Sequence, residues 1–450
     1  VSTPSLSQQL DSLTAGVSER GQTRRIVVGD DALDRLAAEA SPGPKIVICD
    51  PNTRVAAGDA LLARLEAAEL RVIEPQPGHD DLVCDTEIIA KTRSMLADAP
   101  DATPIAVGAG TINDIVKKAS AEVERDYLVV PTAASMNGYT SSIAAILADG
   151  VKRTIAAQQP AGIYVPLSIV AAAPAYLNRA GFGDLLSKPF SNADWLLSHH
   201  VRGVPYDAAP AALLDDAYNA LLDHAEDVST GAPEGVQLLT ETLLVSGFSM
   251  AMAGTSAPAS GGEHLISHYW DMEQHCQHAP LRGLHGTQVG IATRLSAMLY
   301  ERLVTLDVSA INSARAAERR PDASWIDGLG AEHPALTPEV LAEVQEQLRI
   351  KQTHGAELAE ELARLEAVWP ELAPELAKSA LSSARITQAL REAGCVFKAS
   401  ELGVERSHLV RTLRVCRQIR SRYVALDLMD DLGLLDGWAA EVAAESEESS

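Results

Sequence analysis

The sequence predicts an α/β unit built on a parallel sheet, followed by an all-α unit. Three observations carry this. Short β-branched runs alternate with amphipathic helical stretches from residue 24 to about residue 164. Beyond about residue 165 the alternation stops, and long segments with Ala and Leu at helical spacing take over. The chain has 450 residues, 46% hydrophobic and 22% charged, which is enough to bury a core in each unit. The predicted divisions are a polar N-terminal arm (1–23), the α/β unit (24–164), the helical unit (165–440) and an acidic tail (441–450).

Residues 1–23 are polar and Ser-rich, and the expectation is a mobile arm or a surface helix. The runs "RRIVVG" (24–29), "KIVICD" (45–50), "LRVIEP" (70–75), "PIAVGAG" (104–110) and "YLVVPT" (127–132) read as strands closed by Gly, Asp or Pro. "DDALDRLAAEA" and "AGDALLARLEAAEL" between them read as helices, the pattern of a parallel sheet covered on both faces. In the helical unit, breaks fall near 202–206, 255–262 and 279–284. Residues 305–380 are Glu- and Ala-rich helix, read as a surface layer or a contact between copies of a homodimer or larger homo-oligomer. "AAESEESS" reads as a solvated acidic end.

The net charge of -24, with no basic run denser than pairs such as Arg319-Arg320, argues against nucleic acid and anionic membrane surfaces as partners. Five scattered cysteines without a CxxC spacing fit a reducing compartment. No eighteen-residue uncharged apolar run and no signal-peptide pattern is found, so the expectation is a cytoplasmic protein.

Ligands of parallel sheets bind beyond the carboxyl ends of the strands, and two loops there suit phosphates. "VGAGTINDIVKKA" (107–119) is a strand, a glycine turn and a helix start, so backbone N–H groups around Gly108, Ala109, Gly110 and Thr111 could meet a pyrophosphate. A glycine turn needed only for steric reasons is the competing reading. "VPTAASMNGYTSS" (130–142) is dense in hydroxyls, including Thr132, Ser135 and Ser141; a turn capping the next helix is the alternative. Asp50 ends the second strand, where a carboxylate can accept from both hydroxyls of an adenosine ribose and would repel a 2′-phosphate. That favours NADH over NADPH. Five of the twelve histidines (His264, His268, His275, His278, His285) lie within 261–290. From the residues alone a metal site, a hydrogen-bonded cluster and chance all stay open.

"GAGTINDIVK", "VPTAASMNGYTSS", "AGFGDLLSK", "GEHLISHYWDM" and "LHGTQVGIAT" occur in the order and approximate spacing of the sn-glycerol-1-phosphate dehydrogenases. The chain resembles that family, and its bacterial branch associated with arabinose operons, from about residue 24 to residue 435. The family sits in the iron-containing alcohol dehydrogenase, glycerol dehydrogenase and dehydroquinate synthase-like superfamily. The resemblance implies a Rossmann-like nucleotide-binding domain for NAD(H), with NADP(H) as the alternative, and a helical metal-binding domain. It also implies reduction of dihydroxyacetone phosphate or a related ketone phosphate to sn-glycerol 1-phosphate. By the same resemblance Asp184, His264 and His285 are the metal ligands, zinc being the first choice over nickel, iron or manganese. Independently, His264 and His268 are four apart and share a helix face.

His268 is similar to the family's substrate contact and a candidate for passing a proton. Lys188, one turn after Asp184, is a candidate for the substrate phosphate, with an ordinary surface lysine as the alternative. His199, His200, His275 and His278 are read as ordinary polar residues. Two positions depart from the family: Asn137, a substrate contact usually aspartate, and Asn113 in the nucleotide loop, often aspartate. Both raise the expectation of a shifted substrate preference. A dehydroquinate synthase-like cyclase is the rival enzyme, although that group's glutamate ligand is not matched by Asp184; a non-catalytic nucleotide-binding homologue is the third reading.

Overall fold

Central strands β2 (Lys45–Cys49) and β4 (Thr103–Gly108) are apolar without alternation because both faces of the sheet they share are covered. The computed structural model of the protein describes residues 5–76, 82–148 and 151–448. The first four residues of the expected arm and the last two of the expected tail lie outside these. The remaining strands of this sheet are β1 (Arg25–Val28), β3 (Ala68–Val72), β5 (Leu128–Pro131) and β8 (Gly162–Val165). All pairings are parallel, in the order β1-β8-β5-β4-β2-β3. Val47, Ile105, Val107 and Val130 pack in its core with Leu33, Leu36 and Leu61.

The chain forms two compact units, one of residues 1–185 with 212–254 and the other of residues 186–211 with 255–450. In the first unit three expectations are corrected. The third strand begins at Ala68, two residues before the apolar run, because it is an edge strand that alternates, with Glu69 and Arg71 exposed. β8, unread in the sequence, sits between β1 and β5. An antiparallel hairpin of β6 (Ile143–Ala148) and β7 (Val151–Ala156) is also absent from the sequence reading, its alanines carrying little strand propensity. The arm contains a helix, Leu6–Thr14, that buries Leu10. The helix Pro233–Ala253 is apolar enough to cross a membrane by length and composition, yet 72% of its apolar window is buried inside the protein. It is a core helix of this unit.

The second unit is helical. Lys188–Arg202 ends at Gly203, whose φ of 67° supplies the left-handed turn. Gly262–Cys276 and His285–Leu303 are joined by the loop that the Pro and Gly of "APLRGL" predict. Gly355–Ser379 buries Leu358, Leu362, Leu365, Trp369 and Leu376 within the unit. A buried polar network ties four segments together: Lys351 reaches both oxygens of Asp427 (2.8 and 2.9 Å), Arg417 reaches Asp427 (3.1 Å), and Asp431 accepts from Gln352 and Tyr423 (both 3.1 Å). The acidic end, expected to be solvated, is helix through Glu448, with Ala443 and Ser446 buried. Its carbonyls and carboxylates find cations: Arg294 donates to the Ser446 carbonyl and Arg302 pairs with Glu445.

Candidate active site

Beyond β4 the chain turns at Ala109 into the helix Gly110–Glu122. Neither Gly108 nor Gly110 has a positive φ. What requires glycine is room: a Cβ on Gly108 would stand 2.7 Å from the Ile112 Cβ, and one on Gly110 would stand 3.0 Å from Met136 Cγ. Asn113 bonds back to the Ala109 carbonyl, so the N–H groups of Gly110, Thr111 and Ile112 open the helix without an intrahelical acceptor. Their place beyond a central strand suits an anion. At the end of β2, Asp50 caps the next helical turn, its Oδ1 accepting from Thr53 N (2.7 Å) and Thr53 Oγ1 (3.0 Å).

Asn113 belongs elsewhere than the sequence suggests. It is fully buried, its amide oxygen accepts from Tyr127 Oη (3.1 Å) and its nitrogen donates to Asp114 (3.1 Å), so it joins helix to sheet. Ser141 is likewise buried, and its hydroxyl lies among the Gly138 and Ile143 carbonyls and the Lys117 ammonium. Lys117, unread in the sequence, is 0% exposed and donates to the Gly138 carbonyl (2.5 Å) and Ile143 carbonyl (3.0 Å), with Asp114 at 3.6 Å. Burial lowers the lysine's pKa, with Asp114 opposing, and raises that of Asp114.

The hydroxyl-rich loop is therefore a clamped platform. Thr132 is buried beside Gly108, and Ser135 and Asn137 are partly exposed. The Ala134 N–H donates to Asn178 (2.9 Å), Thr140 donates to the Leu244 carbonyl (2.6 Å), and Gly181 and Gly247 carry no side chain where a Cβ would overlap the loop. Asn137 Nδ2 donates to Ser246 Oγ (3.2 Å). One of its two N–H donors is thus used inside the protein, which turns the amide nitrogen toward Ser246 and leaves the amide oxygen as an acceptor.

Three of the named side chains converge. Asp184, His264 and His285 each offer one ligand atom, and these atoms lie within 4.8 Å of one another. Asp184 is 1% exposed and His264 5%. The His264 and His285 ring centroids are 5.1 Å apart, and the His268 ring stacks on His285 at 5.4 Å and 17°. Lys188, 4% exposed, is no surface lysine; it donates to Ser187 Oγ (3.1 Å) and the Ala259 carbonyl (3.2 Å).

Neighbours the sequence reading missed decide which imidazole nitrogen faces the cluster. Glu263 Oε1 sits 2.9 Å from His264 Nδ1, and the carboxylate can only accept, so Nδ1 carries the proton. Ser267 Oγ donates to Gln288 Oε1 (2.7 Å) and therefore accepts from His285 Nδ1 (3.0 Å). Gln288 in turn donates to Asp271 Oδ1 (3.0 Å). Both histidines thus turn a basic Nε2 outward, the tautomer that metal ligation needs. A carboxylate with two such imidazoles fits a divalent ion with coordination positions left open. Glu263, Ser267, Asp271 and Gln288 lie inside the quoted motifs, next to or within a few residues of the histidines; that adjacency was the available signal.

Asp194 is 2% exposed and beside Glu263; burial, then that neighbour's charge, pushes it up to about 7.

The family model for iron-containing alcohol dehydrogenases matches residues 29–174. Glycerol-1-phosphate dehydrogenase (NAD(P)+) of Bacillus subtilis strain 168 is 36% identical over 298 residues, covering 64% of this chain and 74% of that relative. The enzyme of the same name from Geobacillus stearothermophilus is 29% identical over 422 residues, covering 91% and 92%. Among solved structures, glycerol dehydrogenase from Schizosaccharomyces pombe shares the fold, with a TM-score of 0.58 at 15% identity over 96% of this chain and 94% of that one.

Proposed function

The chain belongs to the glycerol-1-phosphate dehydrogenase family, among the iron-containing alcohol dehydrogenases, and is an NAD(P)-dependent oxidoreductase; on that premise we propose that it interconverts dihydroxyacetone phosphate, or a close relative, and sn-glycerol 1-phosphate with one divalent metal ion. The observation that carries this is the convergence of Asp184, His264 and His285 within 4.8 Å. They would hold the ion through one carboxylate oxygen and two Nε2 atoms, a set that suits zinc and accepts nickel, iron or manganese. When bound, the ion supplies Lewis acidity to a substrate carbonyl and the nicotinamide supplies the hydride.

The rest is done by the chain. N–H groups of Gly110, Thr111 and Ile112 receive the pyrophosphate, and Asp50, whose Oδ1 is committed to Thr53, accepts from the ribose through Oδ2. The carboxylate at that place favours NADH. Asn137 accepts a substrate hydroxyl through Oδ1, held in that sense by Ser246. Lys188 offsets the substrate phosphate. His268, stacked on His285, delivers the proton to the product oxygen.

The test is to load the protein with zinc, nickel, iron or manganese and follow NADH and NADPH oxidation on a panel of phosphorylated ketones, with chiral analysis of the product. Turnover of dihydroxyacetone phosphate to the sn-1 isomer, lost after chelation, is expected. No oxidation of either coenzyme with any member of the panel overturns the reading.

A further inference from the structure

Asp194 belongs to none of the groups that would meet metal, nucleotide or substrate, yet its carboxylate is bonded to three other helices. Oδ2 accepts from the Gly262 N–H (2.7 Å), the first residue of the helix that carries His264 and His268. Oδ1 accepts from the Tyr300 hydroxyl (2.6 Å), on the helix that begins at His285. Oδ1 also accepts from the Ala425 N–H (2.7 Å), the first residue of the helix Ala425–Asp431. Two of these are otherwise unsatisfied helix-start donors, and all three bonds are made away from water.

We propose that Asp194 is the positioning residue that fixes the His264 helix against the His285 helix, and so sets the spacing of the two imidazoles. The inference rests on the reading of those histidines as metal ligands. The double glycine of "GGEH" fits the same design. A Cβ on Gly261 would overlap the Asp194 carboxylate and crowd Glu263 Oε2, so the chain must lack one where it passes between the two acids. Gly261 donates its own N–H to Glu263 Oε1 (2.7 Å), the oxygen that holds His264. One carboxylate thus orients the ring and the other places the helix bearing it. The arrangement puts two buried acids side by side, an electrostatic cost that the three bonds to Asp194 must offset.

The experiment uses the full-length protein with Asp194→Asn and Asp194→Ala. Zinc affinity is measured by competition with a chromogenic chelator, and thermal stability on the metal-free protein. Asparagine keeps one acceptor and removes the like-charge neighbour of Glu263, so its zinc affinity should fall by about 10–100-fold while the metal-free Tm stays level or rises. Alanine should bind zinc more weakly still. Wild-type affinity in Asp194→Asn overturns the proposal, and so does a loss of affinity that only tracks a loss of Tm across both variants. If the wild-type protein takes up neither zinc nor nickel, iron or manganese, the metal reading falls by itself. The claim about Asp194 is then decided by a crystal structure of Asp194→Asn: altered separation of the His264 and His285 rings, 5.1 Å between centroids in the wild type, supports it, and an unchanged separation overturns it.

Discussion

The two candidate ligand histidines are held by unlike partners. His264 donates to a carboxylate, whereas His285 donates to a serine hydroxyl that passes the bond on through Gln288 to Asp271. The neutral partner makes the orientation of His285 depend on one hydroxyl. Ser267→Ala removes the acceptor for Nδ1 and the donor for Gln288 in a single step, in a helix where alanine is otherwise well accepted. Zinc affinity should drop by about tenfold, with a cost to folding of about 1–3 kcal/mol for the stranded Gln288 oxygen. Chelator competition and urea unfolding measure the two; unchanged zinc affinity would show that Ser267 does not orient His285.

Among the elements, the loop 132–141 owes its position to helices that arrive much later in the sequence. Gly247 on Pro233–Ala253 lies so close that a methyl group there would overlap Thr140 Oγ1 and the Asn137 carbonyl. Gly247→Ala should cost about 1–3 kcal/mol and reduce kcat/KM by more than the lost stability explains, because the displaced residue is Asn137. Urea unfolding set beside steady-state kinetics tests this; loss of stability with kinetics intact would separate Asn137 from the reaction. This contact also shows where sequence reading stops. Strands β1, β2, β4 and β5 were legible because apolar runs closed by turn residues carry their own signal. β8 was not, since four residues with a glycine and a tyrosine become a strand only by entering a gap between β1 and β5. Likewise motif and spacing singled out His264, His268 and His285, whose rings lie together, while nothing in the sequence showed that Ser141 and Asn113 are buried. A polar side chain beside a ligand loop reads the same whether it points out or in, and only packing decides.

For the molecule as a whole, with its charge of -24, buried acids make stability sensitive to mild pH changes. Asp431 is pushed up to about 6, chiefly by burial and next by the adjacent Asp430, against the opposing Arg417 and Arg202, with Asp427 adding to the rise. Its folded pKa lies above its unfolded one near 3.8. The native state therefore holds the proton more tightly, and the stability that the group contributes is complete below about pH 4 and is lost as pH rises through about 6. Asp431→Asn keeps an acceptor for Gln352 and cannot ionise. Relative to wild type, the variant should gain stability between pH 4 and 6 and hold that gain above 6, as read from urea midpoints. A difference independent of pH across that window would show that Asp431 does not titrate there.

The first unit is made from two separated stretches of chain, with residues 186–211 belonging to the second unit in between. Within it, among the described residues, β1 pairs only with β8, and the hydroxyl loop is clamped by Pro233–Ala253. During synthesis, then, the first strand leaves the ribosome long before its partner exists, and the loop emerges well before the helix that seats it. In the interval the nascent chain carries an unfinished sheet while the opening helix of the other unit is already being made. The first unit therefore cannot complete its sheet until β8 has been made, nor seat its loop until the helix Pro233–Ala253 has been made.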